Sequence, residues 1–350
     1  MDQDEAQYLF NKGATIVTTN LPVGSEFGID CSCTWKTFDG DIAGIKMIPP
    51  GVHLLFWNCN DDKMKRQGPR TSILIHTSPG EVLVWKWLDL EERVERVNLT
   101  GDEDIESNKQ SIDHRLVPYP YDTYRRWISL TSVINEKLLK RLMPDCGYMT
   151  SVPNLMPERS NTAERQGRSK NEGLPNMLPF PGTIINWSII QEKARPPKFC
   201  NKEDITKHCL DRSWQLKELF QESSEEEILG ELQATYVFLL VGHIYEVLEK
   251  WKILINLLCS CREAIGLYPK FYSKLLTILY WQLKDLPEEI RQDAVNGVLS
   301  STIGPLLSEI VEYDDEDLSN KAEKLLNCLK TKYGVNWASE PDDWAPTIVS

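Results

Sequence analysis

The sequence of 350 residues lacks long hydrophobic runs. No stretch approaches the roughly 18 to 20 consecutive apolar residues that a membrane-spanning helix requires. It also lacks the opening of a secretory signal peptide, because its first ten residues, MDQDEAQYLF, carry acids where such a peptide has a basic start and an apolar segment. We therefore expect an intracellular protein.

Basic residues are also scarce. The chain has 39 Lys and Arg against 52 Asp and Glu, and its formal net charge is −13. An acidic surface repels a phosphate backbone, which argues against a primary role in binding nucleic acid. With 41% hydrophobic and 26% charged residues the composition is that of a globular protein. At roughly 150 residues per domain, the length predicts two domains, or three at most.

The motifs that carry enzymatic or metal chemistry are missing too. There is no G-x-S-x-G, H-E-x-x-H, Walker A, G-x-G-x-x-G or calcium-loop sequence. Of the five histidines, His53 is more typical of a strand residue and His243 of a helix edge than of a catalytic base. The nine cysteines are scattered, as in a reduced protein, and the nearest zinc candidate, Cys200 with His208 and Cys209, places adjacent ligands on different helix faces. We predict no catalytic residue, cofactor or metal.

The first part of the chain has the pattern of a β-domain. From Gly13 to about Val97, the apolar runs ATIVTTNL, GVHLLFW, SILIH and EVLVWKWLDL are separated by turn residues. Prolines at positions 49 and 50 mark a strand boundary, because proline cannot donate to a sheet ladder. Pro79 and Gly80 predict a hairpin between the third and fourth runs. We expect a mostly-β sandwich or partly open barrel over 8–145.

A helical pattern closes this domain and a polar segment follows. Apolar residues from Leu130 to Leu142 predict a helix capped by Thr131 or Ser132 and ended by Pro144. The segment 146–183 combines prolines with the polar run ERSNTAERQGRSKNEG, which cannot bury enough surface to offset its ordering entropy. We predict a flexible linker there.

The second half has helical periodicity throughout. From Lys202 the apolar residues repeat with a period near 3.6, and one helix is predicted to run to Phe220. Proline and glycine punctuate the later helices, the last of which ends at Gly334. The segment LLVGHIYEVLEKW has spacings like those of a tetratricopeptide hairpin but occurs once. We predict an all-α domain over 184–334, with a generic helical-repeat interaction scaffold as the alternative function.

Two segments are candidate functional sites. Ser223 and Ser224 precede three glutamates, which suits either a helix cap or an acid-directed phosphorylation site. The extended tail over 335–350 is β-prone near its end. It either frays, as many termini do, or adds a strand to the sheet edge of a partner.

Six sequence blocks resemble the Aar-two splicing factor family. They are GATIVTTNLPVGSEFGID, GIKMIPPGVHLL, PYPYDTYRRWISLT, ILGELQ, YEVLEKWKILINLLC and EPDDWAPTIV, in that order along 8–145 and 184–349. The resemblance implies a β-rich domain, a linker and a helical domain of VHS-like or superhelical type. It also implies no enzymatic activity, and a role as an assembly chaperone of the U5 small nuclear ribonucleoprotein in pre-mRNA splicing, in cytoplasm and nucleus.

The resemblance also implies partners. Members bind the large central scaffold protein of the spliceosome at its RNase H-like domain and, through the C-terminal tail, at its MPN-like domain. They thereby keep the U5 RNA helicase and RNA away until a release linked to phosphorylation. On this sequence the tail role falls on six residues: Trp344, Ala345, Pro346, Thr347, Ile348 and Val349.

Overall fold

A computed structural model of the chain describes most of its residues, namely 3–36, 42–61, 66–89, 91–97, 112–157, 177–191, 202–284, 286–288, 290–291, 297, 301–311 and 313–334. Contacts divide the chain into two compact units. The β-rich unit comprises Met1–Ile128, Asn135–Trp187 and Phe238–Tyr245, and the helical unit comprises Ser129–Ile134, Ser188–Val237 and Glu246–Ser350. None of the helices in the described ranges has both the length and the apolar character needed to cross a membrane.

The β-rich unit is built on two five-stranded sheets. Their strands are β1 Ala14–Thr19, β2 Glu26–Ile29, β3 Ser32–Lys36, β4 Ile42–Ile48, β5 Gly51–Asp61, β6 Arg66–Thr77, β7 Val82–Leu88, β8 Arg93–Val97, β9 Val117–Pro118 and β10 Met149–Thr150. The order is β8-β7-β1-β4-β9 in one sheet and β10-β6-β5-β2-β3 in the other. The β1–β7 and β4–β9 pairs are parallel, and the remaining pairs are antiparallel.

Side chains from both sheets form one hydrophobic core. Ile16, Ile45 and Trp85 come from the first sheet, and Phe27 and Trp57 from the second; all five are buried. The period-two pattern of the strands is what places these side chains on the inner faces. The predicted mostly-β domain, a sandwich or partly open barrel, is therefore confirmed, and its two sheets share one core.

The connection at Pro79 and Gly80 differs from the prediction. β6 pairs with β5 and β10, whereas β7 pairs in parallel with β1, so these strands belong to different sheets and the predicted hairpin is wrong. Gly80 has a φ of 72°, and the turn there carries the chain from one sheet to the other. Apolar runs identify strands, but they do not say which strands pair.

The helix predicted to close the β-domain is two helices. Before the second half of the chain, the helices of the described residues include α1 Gln3–Lys12, α2 Tyr121–Thr131 and α3 Glu136–Leu142. Thr131 ends α2, and the cap of α3 is Asn135, whose Oδ1 accepts from the N–H of Leu138 at 2.9 Å. The predicted caps at Thr131 and Ser132 are therefore wrong. The apolar pattern did not reveal the break, because Leu130, Ile134 and Leu138 are buried whether the chain forms one helix or two.

Short strands lie in the segment predicted as a linker. Besides β10, these are β11 Leu155–Pro157 and β12 Met177–Pro179, which pair antiparallel with each other. Residues 158–176 lie outside the described residues. The segment 146–183, predicted as a flexible linker, therefore contains residues in strand pairs at 149–150, 155–157 and 177–179.

The second half forms α4 Lys202–Leu210, α5 Ser213–Glu222, α6 Glu225–Leu240, α7 Val247–Cys259, α8 Arg262–Leu267, α9 Pro269–Lys284, α10 Gly304–Val311 and α11 Glu316–Tyr333. All residues of α6 from Glu227 to Leu239 are buried, so this helix has no solvent-facing side over that stretch. Inside the helical unit, buried Gln282 donates to the Leu232 carbonyl and accepts from the Trp251 indole. The predicted change from β to helical architecture is confirmed.

The helix predicted from Lys202 to Phe220 breaks at Asp211. Its Oδ1 accepts from the Ser213 N–H at 2.8 Å, which begins α5, and its Oδ2 accepts from the Glu263 N–H at 2.9 Å. The apolar period continues across this break, so the sequence predicted one helix where there are two. Gly334, with a φ of 65°, ends α11 as predicted.

Candidate functional site

The two predicted serine sites lie between α5 and α6. Ser223 ends α5, since its N–H donates to the Leu219 carbonyl at 2.9 Å; its half-buried hydroxyl lies 3.3 Å from that of Ser188. Ser224 is exposed, and its Oγ accepts from the Glu227 N–H at 3.2 Å. The capping interpretation is therefore confirmed for Ser224, whereas Ser223 belongs to the end of the preceding helix.

A buried junction adjoins Ser223. The Glu231 side chain is 0% exposed and accepts from the backbone N–H and hydroxyl of Ser188 at 3.0 and 2.6 Å. Lys250 donates to the Ser188 carbonyl and lies 4.0 Å from the Glu231 carboxylate. Sequence reasoning missed this junction, although an acid within the apolar surroundings of α6 was a signal for it.

His53 belongs to a buried polar network. Its Nδ1 lies 2.7 Å from the Asp30 carboxylate and its Nε2 lies 2.7 Å from the Pro49 carbonyl oxygen. Asp30 also accepts from the Tyr119 hydroxyl at 2.6 Å and the Leu54 N–H at 2.9 Å. Burial, and then the negative charge of Asp30, raise the pKa of Tyr119 above its ordinary value. Both ring nitrogens face oxygen atoms, so His53 links strand β5 to the residues that follow β2 and β4.

His243 also makes a structural contact within the β-rich unit. Its Nε2 lies 3.0 Å from an Arg70 guanidinium nitrogen, and the same nitrogen donates to the Val241 carbonyl at 2.7 Å. The guanidinium lies 4.2 Å from the centre of the Phe56 ring, and its burial lowers the Arg70 pKa from the ordinary value. His53 and His243 therefore occupy separate contacts rather than one converging site.

The candidate metal residues do not converge in the described part of the chain. Cys200 lies outside the described residues, while His208 packs edge-on against Trp214 and Cys209 is exposed. Among the described residues, no group of three His, Cys, Asp or Glu side chains could hold a metal ion. In the acidic run before α11, Asp315 accepts from the Leu318 N–H as a helix cap, the interpretation favoured from sequence.

A cavity of about 740 Å³ opens beside the core of the β-rich unit, between β6, β7, β8 and α3. Its apolar lining includes Ile75, Trp85 and Leu139. Some of the charged residues that line it are paired with each other, for example Lys140 with Glu136 at 2.7 Å.

The tail predicted to bind a partner, Trp344 to Val349, lies outside the described residues. What the structure describes is its point of attachment. Helix α11 ends at Tyr333 and Gly334 takes the left-handed conformation that terminates it. The predicted tail over 335–350 follows Gly334 in the sequence.

These features define a two-part α+β protein with a β-sandwich unit and a helical unit, whose candidate histidines and acids serve as structural contacts in the described residues. Family descriptions named AAR2 N-terminal domain and AAR2 C-terminal repeat region match residues 12–144 and 187–338. The chain belongs to the AAR2 family, which confirms the resemblance of its six sequence blocks.

Two mammalian relatives align with the whole chain, and a yeast relative aligns with most of it. The proteins named Protein AAR2 homolog from Macaca fascicularis and Homo sapiens are each 35% identical, with alignments covering 100% of this chain and 96% of those proteins. The A1 cistron-splicing factor AAR2 of Saccharomyces cerevisiae is 25% identical, covering 81% of this chain and 80% of that protein.

Proposed function

We propose that this protein is a non-enzymatic assembly chaperone of the U5 small nuclear ribonucleoprotein in pre-mRNA splicing. Membership of the AAR2 family carries the proposal, because a relative aligned with 81% of the chain is named a splicing factor. The structural use of His53 and His243 supports the non-enzymatic part. The proposal places the protein in both cytoplasm and nucleus.

The proposed partner is the large central scaffold protein of the spliceosome, bound at its RNase H-like and MPN-like domains. The tail residues Trp344 to Val349 would add a strand to a sheet edge of the MPN-like domain, where backbone hydrogen bonds give affinity and alternate side chains give specificity. Residues 8–145 and 184–334, joined by 146–183, are the proposed domains that engage the rest of the partner.

The net charge of −13 supports competition with RNA, and competition with the U5 RNA helicase is proposed from family membership alone. An acidic protein that covers a basic RNA-binding surface gains electrostatic attraction and excludes nucleic acid. This attraction weakens as salt shortens the Debye length from about 10 Å at 0.1 M to about 3 Å at 1 M. Binding is therefore expected to weaken with salt, and added RNA is expected to compete; equal affinity at both salt concentrations would contradict this.

A pull-down of the full chain with the separate RNase H-like and MPN-like domains tests the proposal. Deleting residues 341–350 should abolish capture of the MPN-like domain and leave capture of the RNase H-like domain. A matched control carries the same ten residues in scrambled order, which preserves charge and length. Capture of neither domain by the full chain would overturn the proposal.

The alternative function, a generic helical-repeat scaffold, makes a different prediction in the same experiment. The family description that matches residues 187–338 calls them a repeat region, and this supports testing the scaffold alternative. A scaffold that binds through a surface of 184–334 would be indifferent to loss of the tail. Unchanged capture by the chain lacking 341–350 would favour this alternative.

We propose Ser224 rather than Ser223 as the acceptor for phosphorylation. Ser224 is exposed, and a phosphate there would meet the positive end of the α6 dipole. A phosphate on Ser223 would instead lie near Ser188 and the carboxylate of Glu231. Treatment with an acid-directed kinase and mass spectrometry should find modification in S223A but not in S224A.

A further inference from the structure

Lysines and aromatic rings meet where the C-terminal parts of α9 and α11 pack together. The Lys284 ammonium lies 4.9 Å from the centre of the Trp281 ring and 5.9 Å from that of Tyr280. Lys324 lies 4.8 Å from the centre of the same Tyr280 ring, and Lys332 donates to the carbonyl of Lys284. We call Tyr280, Trp281, Lys284, Lys324 and Lys332 the lysine–aromatic patch.

The patch holds like charges close together. Lys284 and Lys324 share the Tyr280 ring, and Lys324 is exposed. Elsewhere on these two helices lysines pair with acids, as Lys274 does with Glu226 at 2.9 Å. Within the described ranges, no carboxylate forms an ion pair with Lys284 or Lys324. Two neighbouring cations on a protein of net charge −13 attract an acidic segment electrostatically.

The chain itself supplies such a segment just after α11. Residues 335–350 contain Glu340, Asp342 and Asp343 and no Lys or Arg. The six residues from Gly334 to Glu340 span up to about 20 Å when extended. Lys324 precedes Gly334 by ten residues, which is about 15 Å along a helix. The acids can therefore reach both lysines of the patch without any change in the folded helices.

We propose that the acidic part of the tail, Glu340 to Asp343, docks on the lysine–aromatic patch of the same chain. The acids pair with Lys284 and Lys324, and the prolines at 341 and 346 keep the segment extended, as docking along the helix surface requires. This contact holds Trp344 to Val349 against the helical unit when no partner is bound.

The consequence for the tail rests on the proposed function. A partner that takes the tail as an added strand must first displace it from the patch, so the docked form lowers the fraction of chains ready to bind. Because exposed ion pairs are weak and screened, the contact is reversible and depends on salt. The patch thus regulates tail availability without changing the tail sequence.

Backbone NMR relaxation of the full-length, 15N-labelled chain tests the docking without any partner. At about 0.1 M salt we expect order parameters for the amides of 340–344 above about 0.6, the upper limit for flexible backbone. They should fall below that value at about 1 M salt, where the Debye length is only about 3 Å. They should also fall in Lys284→Glu/Lys324→Glu.

Two comparisons isolate the patch. Lys217→Glu/Lys270→Glu changes the net charge equally at exposed lysines outside the patch and should leave the tail ordered. Glu340→Gln/Asp342→Asn/Asp343→Asn leaves both helices unaltered and should free the tail. A tail that is flexible in the unaltered chain at low salt, or that stays ordered after the patch charges are reversed, would overturn the proposal.

The docking proposal and the proposed function fail separately. If the free tail is flexible but deletion of 341–350 still abolishes capture of the MPN-like domain, the docking proposal is wrong and the function stands. If the tail is docked but its deletion changes no capture, docking stands and the proposed function of the tail is wrong.

Discussion

Replacing Asp30 by asparagine is expected to destabilise the β-rich unit strongly. The carboxylate accepts from the Tyr119 hydroxyl and the Leu54 N–H, and lies 2.7 Å from His53 Nδ1. His53 Nε2 in turn lies 2.7 Å from the Pro49 carbonyl oxygen, so the Asp30 carboxylate is one part of a buried polar network. Asparagine removes the charge and brings an amide donor against at least one of these donors.

The size of the effect follows from burial. The side chains of Asp30 and His53 are 0% and 1% exposed, so solvent does not screen the pair. Breaking a buried pair by removing one partner costs about 3–5 kcal/mol. Asparagine is close in size and tolerates the φ of 55° at position 30, so backbone strain adds little. We expect the free energy of unfolding to fall by about 3–5 kcal/mol for Asp30→Asn.

Hydrogen exchange of the β5 amides measures this loss in the full chain. Each 1.4 kcal/mol is a factor of ten, so amides that exchange through opening of the unit should exchange roughly 100- to 4000-fold faster. Tyr119→Phe is the matched control, because it removes one hydrogen bond to Asp30 and leaves the contact with His53. A change of less than about tenfold for Asp30→Asn would refute the reasoning, because an uncompensated buried partner cannot cost so little.

Three further changes have defined outcomes. Gly28→Ala should lower the melting temperature, because its Cβ would lie 2.2 Å from the Phe56 ring and overpacking costs about 1–3 kcal/mol; an unchanged melting curve would contradict that contact. Asn135→Ala should cost about 0.5–2 kcal/mol in denaturant unfolding by removing the α3 cap, whereas Asn135→Ser should cost less. Burial raises the pKa of the Cys259 and Cys261 thiols above the ordinary 9.0, so above pH 9 they ionise on unfolding while the folded chain still holds them protonated. Their stabilisation is complete below pH 9 and is lost above it, by up to about 1.4 kcal/mol per pH unit for each thiol. Cys259→Ala/Cys261→Ala should therefore flatten the alkaline slope in denaturant titrations, and identical slopes would count against this account.

The order of strands and helices could be predicted from the sequence, because the periodicity of each element is a local property of its residues. Period-two runs predicted β1, β5, β6 and β7, and the change to a period near 3.6 after Lys202 predicted the helical half. Ser224 was a candidate cap because of its spacing to Glu227, and the structure places it there. The family resemblance was also visible in the sequence, since its blocks are contiguous.

Pairing between distant segments was decided only by the tertiary structure. The sequence marked β7 as a strand but could not place it beside β1, since each apolar face can pack against several partners. His53 and Asp30 are 23 residues apart, and Ser188 and Glu231 are 43 apart. Hydrogen bonds have strict geometry but leave no periodic trace in a sequence, so only the folded chain shows which polar groups meet.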